Sequence, residues 1–243
     1  MCKLSRKFTS ALLTLALLAS VLPIGAVPAQ AADTAGAFEV TGGNSGTDYS
    51  YSDGVLTVND GASITISMAS EATKSTSDRI VIAQNATATI TLNNVYITPT
   101  DAGTSDGYSG IDLGNGATLN LTLSDDSTNE INGGTSTTGL PGPGIHLPES
   151  STLIIGGNGS LEVKGASRDS EAAVGIGGNG SASQAGEACG NVIILGGTIT
   201  VHGGTPKYTG RIPVDIGGGN SDAGKGGDCK TVIILASSIA TRT

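Results

Sequence analysis

The chain has 243 residues with 38 glycines, 3% aromatic residues and no tryptophan, so large rings cannot fill its interior and small or β-branched side chains must do so. Its 21 acidic side chains outnumber the 12 basic ones, which disfavours nucleic acid as a partner. An acidic surface of this kind keeps a protein soluble and is also what calcium ions seek.

In chain order, Lys3, Arg6 and Lys7 precede an apolar run from Ala11 to Leu22, which then meets Pro23 and Gly25. The run is too short to span a bilayer comfortably, and Ala29-Gln30-Ala31 supplies a small-x-small cleavage pattern. Residues 1–31 are therefore expected to be a secretory signal peptide, cleaved after Ala31 and taking Cys2 with it. Residues 32–243 are expected to form one soluble domain, secreted or associated with the cell surface, since no later segment approaches the roughly 20 apolar residues of a membrane helix.

After an irregular lead-in from Asp33 to Asp53, the same short core recurs. It is seen in Gly61-Ala62-Ser63-Ile64-Thr65-Ile66, Asn85-Ala86-Thr87-Ala88-Thr89-Ile90, Gly116-Ala117-Thr118-Leu119-Asn120-Leu121 and Ser150-Ser151-Thr152-Leu153-Ile154-Ile155. A looser stretch, Thr135 to Pro143, interrupts the series. The clearest copy follows, where Gly175-Ile176-Gly177-Gly178, Cys189 and Val192-Ile193-Ile194-Leu195 return 40 residues later as Asp215-Ile216-Gly217-Gly218, Cys229 and Val232-Ile233-Ile234-Leu235. Apolar residues alternate within each unit, as in Leu119, Leu121 and Leu123 or Leu161 and Val163, which is the period of a strand with one buried face. Gly156-Gly157-Asn158-Gly159, Gly196-Gly197 and Gly203-Gly204 stand between strands, where glycine turns the chain tightly. Each unit reads as strand, turn, strand, turn.

A unit of this kind cannot bury its apolar face alone, but stacked units share a column of Val, Ile, Leu and Ala. The expected fold is all-β, a right-handed single-stranded parallel β-helix, or solenoid. Stacking places Ile176 over Ile216 and Cys189 over Cys229. Adjacent rungs lie about 4.8 Å apart, so a disulfide between the two cysteines is allowed, and a pair of buried thiols is the alternative. The last repeat, Val232 to Thr241, has no polar cap, which fits either a fragment of a longer array or an end covered by a partner.

The segments Gly175 to Gly178, Cys189 to Gly204 and Asp215 to Asn220 resemble the Gly-rich β-helix repeats of secreted and surface proteins of Gram-positive bacteria, which are often carbohydrate-binding. The resemblance is strongest over Gly144 to Thr241 and extends through the strand cores of Phe38 to Gly134. It implies a right-handed β-helix, an extracellular location, and attachment to plant-type or acidic polysaccharides with calcium on the solenoid surface.

The residues themselves offer little catalytic chemistry. Polysaccharide lyases need a base beside calcium-binding carboxylates, but Lys164, Arg168, Lys207, Arg211, Lys225 and Lys230 read as solvated residues of glycine-rich connections. Asp125-Asp126 reads as a turn cap, and His146 and His202 as surface or wall residues. Calcium has candidate ligands in Asp112, Asp215, Asp222 and Asp228, although no calcium-loop motif is present. Sugar binding needs a ring for the apolar face of a pyranose. Tyr49, Tyr51, Tyr96, Tyr108 and Tyr208 are the rings available; Tyr96 and Tyr108 flank one connection that could place them on one side of the fold, with rings covering a turn as the alternative. The functional expectation is a noncatalytic module that binds extracellular polysaccharide or acts as an adhesive surface. The alternatives are a structural repeat of a larger cell-envelope protein and a polysaccharide lyase or hydrolase.

Overall fold

The computed structural model describes residues 31–69, 75–100, 107–169, 171–207, 214–221, 226–235 and 238–241, with only the backbone of the last four. Ala32–Thr243 forms one compact unit. Every regular element among the described residues is a strand, so none is a helix that could cross a membrane.

The strands build an eight-stranded, a seven-stranded and a five-stranded sheet, with a small two-stranded ribbon beside them. The chain visits the three large sheets in a fixed order. Ile111–Leu113 lies in the seven-stranded sheet, Thr118–Leu123 in the eight-stranded sheet and Thr128–Asn132 in the five-stranded sheet. The next unit repeats that order with Ile145–His146, Thr152–Gly157 and Ser160–Lys164, each parallel to its predecessor. The order holds as far as Ile216–Gly217, Cys229–Ile234 and Ser238–Thr241. The protein is all-β with long parallel sheets.

Two features differ from the sequence reading. Each unit carries a third strand, as short as the two residues Ile176–Gly177 or Ile216–Gly217, inside the Gly-Ile-Gly-Gly and Asp-Ile-Gly-Gly segments. Two residues cannot display a period, so alternation gives no sign of it. The lead-in is also ordered. Phe38–Thr41 runs antiparallel to Ser63–Met68, and Tyr49–Ser52 forms a hairpin with Val55–Val58. The hairpin turns at Asp53 and Gly54, with φ of 51° and 76°, the conformation for which Asp-Gly is suited. Phe38 and Tyr49 are buried there, so large rings serve the antiparallel end and not the repeats.

Burial follows the alternation. Leu119, Leu121 and Leu123 are buried, while Thr118, Asn120 and Thr122 face outward. Leu121 stacks between Ile90 of one neighbour and Ile155 of the next, and the register brings Ile176 to Ile216 and Cys189 to Cys229 as expected. A fully buried Leu or Ile contributes roughly 1.5–3 kcal/mol, so the column is the main stabilising feature set against the entropy of ordering the glycines. Among the buried polar residues, Asn129 is fully enclosed and hydrogen-bonded. Asn129 accepts a hydrogen bond from Val95 N–H and donates to Ser127 Oγ and Ser160 O, each at 3.0 Å, joining three successive units. On the last described rung Val232, Ile233, Ile234 and Leu235 are exposed.

Candidate functional site

The outward face of the five-stranded sheet aligns polar and charged side chains in columns. Its strands bury Ile131, Leu161, Val163, Ile199 and Val201, and alternation turns the residues between them outward. The parallel register aligns those residues in columns. Tyr96, Glu130, Glu162 and Thr200 form one, Asn132, Lys164 and His202 a second, and Thr128, Ser160 and Thr198 a third. Tyr96, Glu130, Glu162 and Thr200 line a shallow groove of about 320 Å³ together with the hydroxyl column.

Lys164 Nζ lies 2.9 Å from Glu162 Oε1 and 3.2 Å from Glu130 Oε1, and all three side chains are between 36% and 41% exposed. Asn132 Nδ2 donates to Glu130 Oε1 at 3.1 Å and to Thr98 Oγ1 at 2.9 Å. The hydrogen bond from Asn132 lowers the Glu130 pKa, burial opposes this, and the bond and charge of Lys164 add to the lowering. For Lys164, burial works downward but is outweighed by hydrogen bonds and charges from Glu162 and Glu130, so its pKa is raised. Glycoside cleavage needs one carboxyl kept protonated as a general acid, and Glu130 is shifted in the opposite direction.

A second cluster lies on the seven-stranded sheet. Asp112 and His146 are neighbours across adjacent strands, with Asp112 Oδ1 2.7 Å from Nδ1 of the imidazole. Glu187 Oε2 sits 2.7 Å from Nε2 and accepts a hydrogen bond from Asn179 N–H at 3.0 Å. Burial disfavours the imidazolium, but the two carboxylates prevail and the His146 pKa is pushed up to about 9. Burial likewise pushes Glu187 upward, and its bonds from His146 and Asn179 reverse this and lower it. Arg79 extends the network, 3.6 Å from Asp112 Oδ2 with its guanidinium 4.2 Å from the centre of the Tyr108 ring.

The structure thus separates several residues singled out in the sequence. Tyr96 lines the groove of the five-stranded sheet, whereas Tyr108 packs on Arg79 of the seven-stranded sheet, so the two rings do not share a face. Tyr49 donates to Asp33 and Tyr51 to Asp78, and Tyr208 lies outside the described residues. Asp112 is held by His146 and Arg79, Asp215 Oδ1 accepts from Gly203 N–H at 2.8 Å, and the Asp228 carbonyl accepts from Cys189 N–H at 2.8 Å. Asp222 lies outside the described residues. Among the described residues no group of three or more His, Cys, Asp or Glu side chains is arranged to hold a metal ion. Asp125 accepts from Asn158 Nδ2 at 2.9 Å, in keeping with a turn role.

His146 stands on the wall of the fold, with only 12% of its side chain exposed between its carboxylates. One reading is corrected. Lys164 is no solvated turn residue, because it ends a strand and pairs with acids on its own and the preceding rung. The signal for the groove lay in aligning Thr128-Asn129-Glu130-Ile131-Asn132 with Ser160-Leu161-Glu162-Val163-Lys164, which puts both glutamates at the same outward position.

Cys189 and Cys229 face each other with Cα atoms 4.3 Å apart and their sulfurs in bonding contact. In an oxidising compartment the native protein is expected to weigh two hydrogen atoms less than its reduced form, by intact-mass measurement before and after reductant. Labelling of both thiols by maleimide in the unreduced native protein would contradict the pairing.

No protein-family model, curated protein or solved structure matches the chain.

Proposed function

We propose that residues 32–243 form a secreted or cell-surface right-handed parallel β-helix that binds extracellular polysaccharide on the outward face of its five-stranded sheet without cutting it. The fixed order in which the chain visits three sheets, with parallel neighbours throughout the repeats, supports the β-helix, and right-handed crossover is the rule for parallel connections. The leader at residues 1–31 supports export.

The observation that carries the binding function is the column of Tyr96, Glu130, Glu162 and Thr200 on successive rungs of one groove. Rungs about 4.8 Å apart repeat on the scale of a sugar unit, so a glycan lying across them meets one set of polar groups per residue. The ring of Tyr96 offers an apolar face, and the carboxylates and hydroxyls accept and donate at its rim.

The test is a broad glycan array, with pectic, cellulosic and mucin-type chains, probed by residues 32–243 with and without calcium. Binding is expected to weaken roughly tenfold in Tyr96→Ala, the loss of one stacking contact of about 1.4 kcal/mol, and to be unchanged in Tyr108→Ala. Silence of a folded sample on every chain would overturn the proposal. It would leave the structural-repeat reading.

A further inference from the structure

We infer that the Cys189–Cys229 disulfide is a reduction-sensitive latch on the coil that carries Ile216–Gly217, Cys229–Ile234 and Ser238–Thr241, so that a dithiol loosens this coil and leaves the earlier ones in place. The inference is independent of glycan binding. Cys189 pairs with Cys229 in the parallel register, 40 residues further along, so the bond ties one rung to the next. Each of the three strands lies on its counterpart in the preceding coil.

The repeated sequence shows what else holds that coil. Val-Ile-Ile-Leu occurs at Val192 to Leu195 and again at Val232 to Leu235. Val192 and Ile194 are fully buried, whereas Val232 and Ile234 are 42% and 43% exposed. Ile216 is likewise only partly buried where Ile176 is fully so. Apolar stabilisation scales with the area removed from water, so the same side chains hold the last described rung less firmly than the one before it. Lys230 Nζ stands 3.7 Å from Glu149 Oε1, but both side chains are at least half exposed and the pair adds little. In a stack where each coil is held by its neighbours, the coil with the least burial opens first. The disulfide is placed on that coil. The rungs of Thr118–Leu123 and Thr152–Gly157, with Leu119, Leu121, Leu153 and Ile155 buried, contain no cysteine.

Burial also sets the side from which the bond is opened. Cys189 is fully buried and Cys229 only partly so, which leaves Cys229 Sγ as the sulfur a dithiol's thiolate reaches. Attack there forms a mixed disulfide with Cys229 and expels Cys189 as a thiolate, which takes up a proton. The second thiol of the reductant then attacks its own sulfur in the mixed disulfide, expels Cys229 and departs as a cyclic disulfide. Two electrons and two protons pass from the dithiol to the two cysteines. The coil is then left on its backbone ladder and a half-exposed apolar row.

The experiment is hydrogen exchange read by mass spectrometry on residues 32–243, before and after dithiothreitol under native conditions, with the redox state checked by intact mass. Amides of Cys229–Ile234 are expected to exchange roughly tenfold faster or more once the bond is reduced, and those of Thr118–Leu123 and Thr152–Gly157 to be unchanged. Cys229→Ser is expected to reproduce the reduced pattern without any dithiol. The oxidised and reduced forms of the unaltered chain decide the matter even where that variant folds poorly.

Unchanged exchange in the fully reduced protein would overturn the latch. Equal acceleration in all the coils would also overturn it, by making the bond a staple of the whole fold. A bond that dithiothreitol reduces only in denaturant would overturn its sensitivity, and free thiols in the protein held under oxidising conditions would overturn the bond itself.

Discussion

Replacing His146 with alanine is expected to cost about 3 kcal/mol of stability, read as a fall in Tm at pH 6.5. The imidazolium lies between Asp112 and Glu187, 2.7 Å from an oxygen of each, and its loss leaves two carboxylates without their shared partner across three successive units of the fold. The figure is set at the low end for breaking a buried pair, because Asp112 and Glu187 remain 32% and 36% exposed and water relieves part of the repulsion.

The same group sets a pH dependence. The folded-state pKa of His146 is raised from 6.5 to about 9, so its stabilising contribution is complete below about pH 6.5 and lost as pH climbs towards 9. Glu187 has a lowered pKa, so its contribution is present above the ordinary carboxylate value and lost on acidification below it. Tm is therefore expected to be highest near pH 5.5–6.5 and to decline towards pH 9 as His146 deprotonates. His146→Ala is expected to remove most of the alkaline decline. Parallel Tm curves for the two proteins across that range would show that His146 does not carry this charge.

Gly177→Ala is expected to be comparably damaging, about 3 kcal/mol, for a reason unrelated to charge. Gly177 pairs with Gly217 in the parallel register and has φ of 150°, and a Cβ there would land on the Gly217 carbonyl oxygen. The obstacle is backbone held in the next strand, so no side chain can swing aside. Gly156→Ala supplies the contrast, because a Cβ at that position meets nothing within 4 Å. Thermal unfolding of both variants checks the claim, and a Gly177→Ala protein as stable as Gly156→Ala would refute the close approach of these two rungs.

The recurring long strands were legible in the sequence because their cores are long enough to show alternation. Leu119, Leu121 and Leu123 present three inward positions in a row, and the 40-residue copy at Val192 and Val232 fixes the register. The two-residue strands of the seven-stranded sheet were not legible, since Ile176–Gly177 has one apolar residue and neighbouring glycines that read as a turn. The antiparallel end was marked by Asp53-Gly54, a hairpin signal overshadowed by the irregular polar residues before it.

The two charged clusters were hidden for a different reason. Glu130 and Glu162 are separated in sequence and meet only because Thr128–Asn132 and Ser160–Lys164 align rung to rung. His146 depends on Asp112 from the preceding unit and on Glu187 from a connection after the next short strand, so no local motif announces it. Single residues at outward positions gain partners across rungs, and the varying unit length obscures which residues those will be.

The measurement that tests the central claim most directly is backbone amide mapping of residues 32–243 by NMR during titration with the glycan that scores highest on the array. The account predicts shift changes or slowed exchange concentrated at Tyr96, Thr128–Asn132 and Ser160–Lys164, with the outward positions of the eight-stranded sheet unaffected. Changes confined to the seven-stranded sheet around Arg79 and Tyr108, or to the eight-stranded sheet, would contradict it and move the binding face elsewhere.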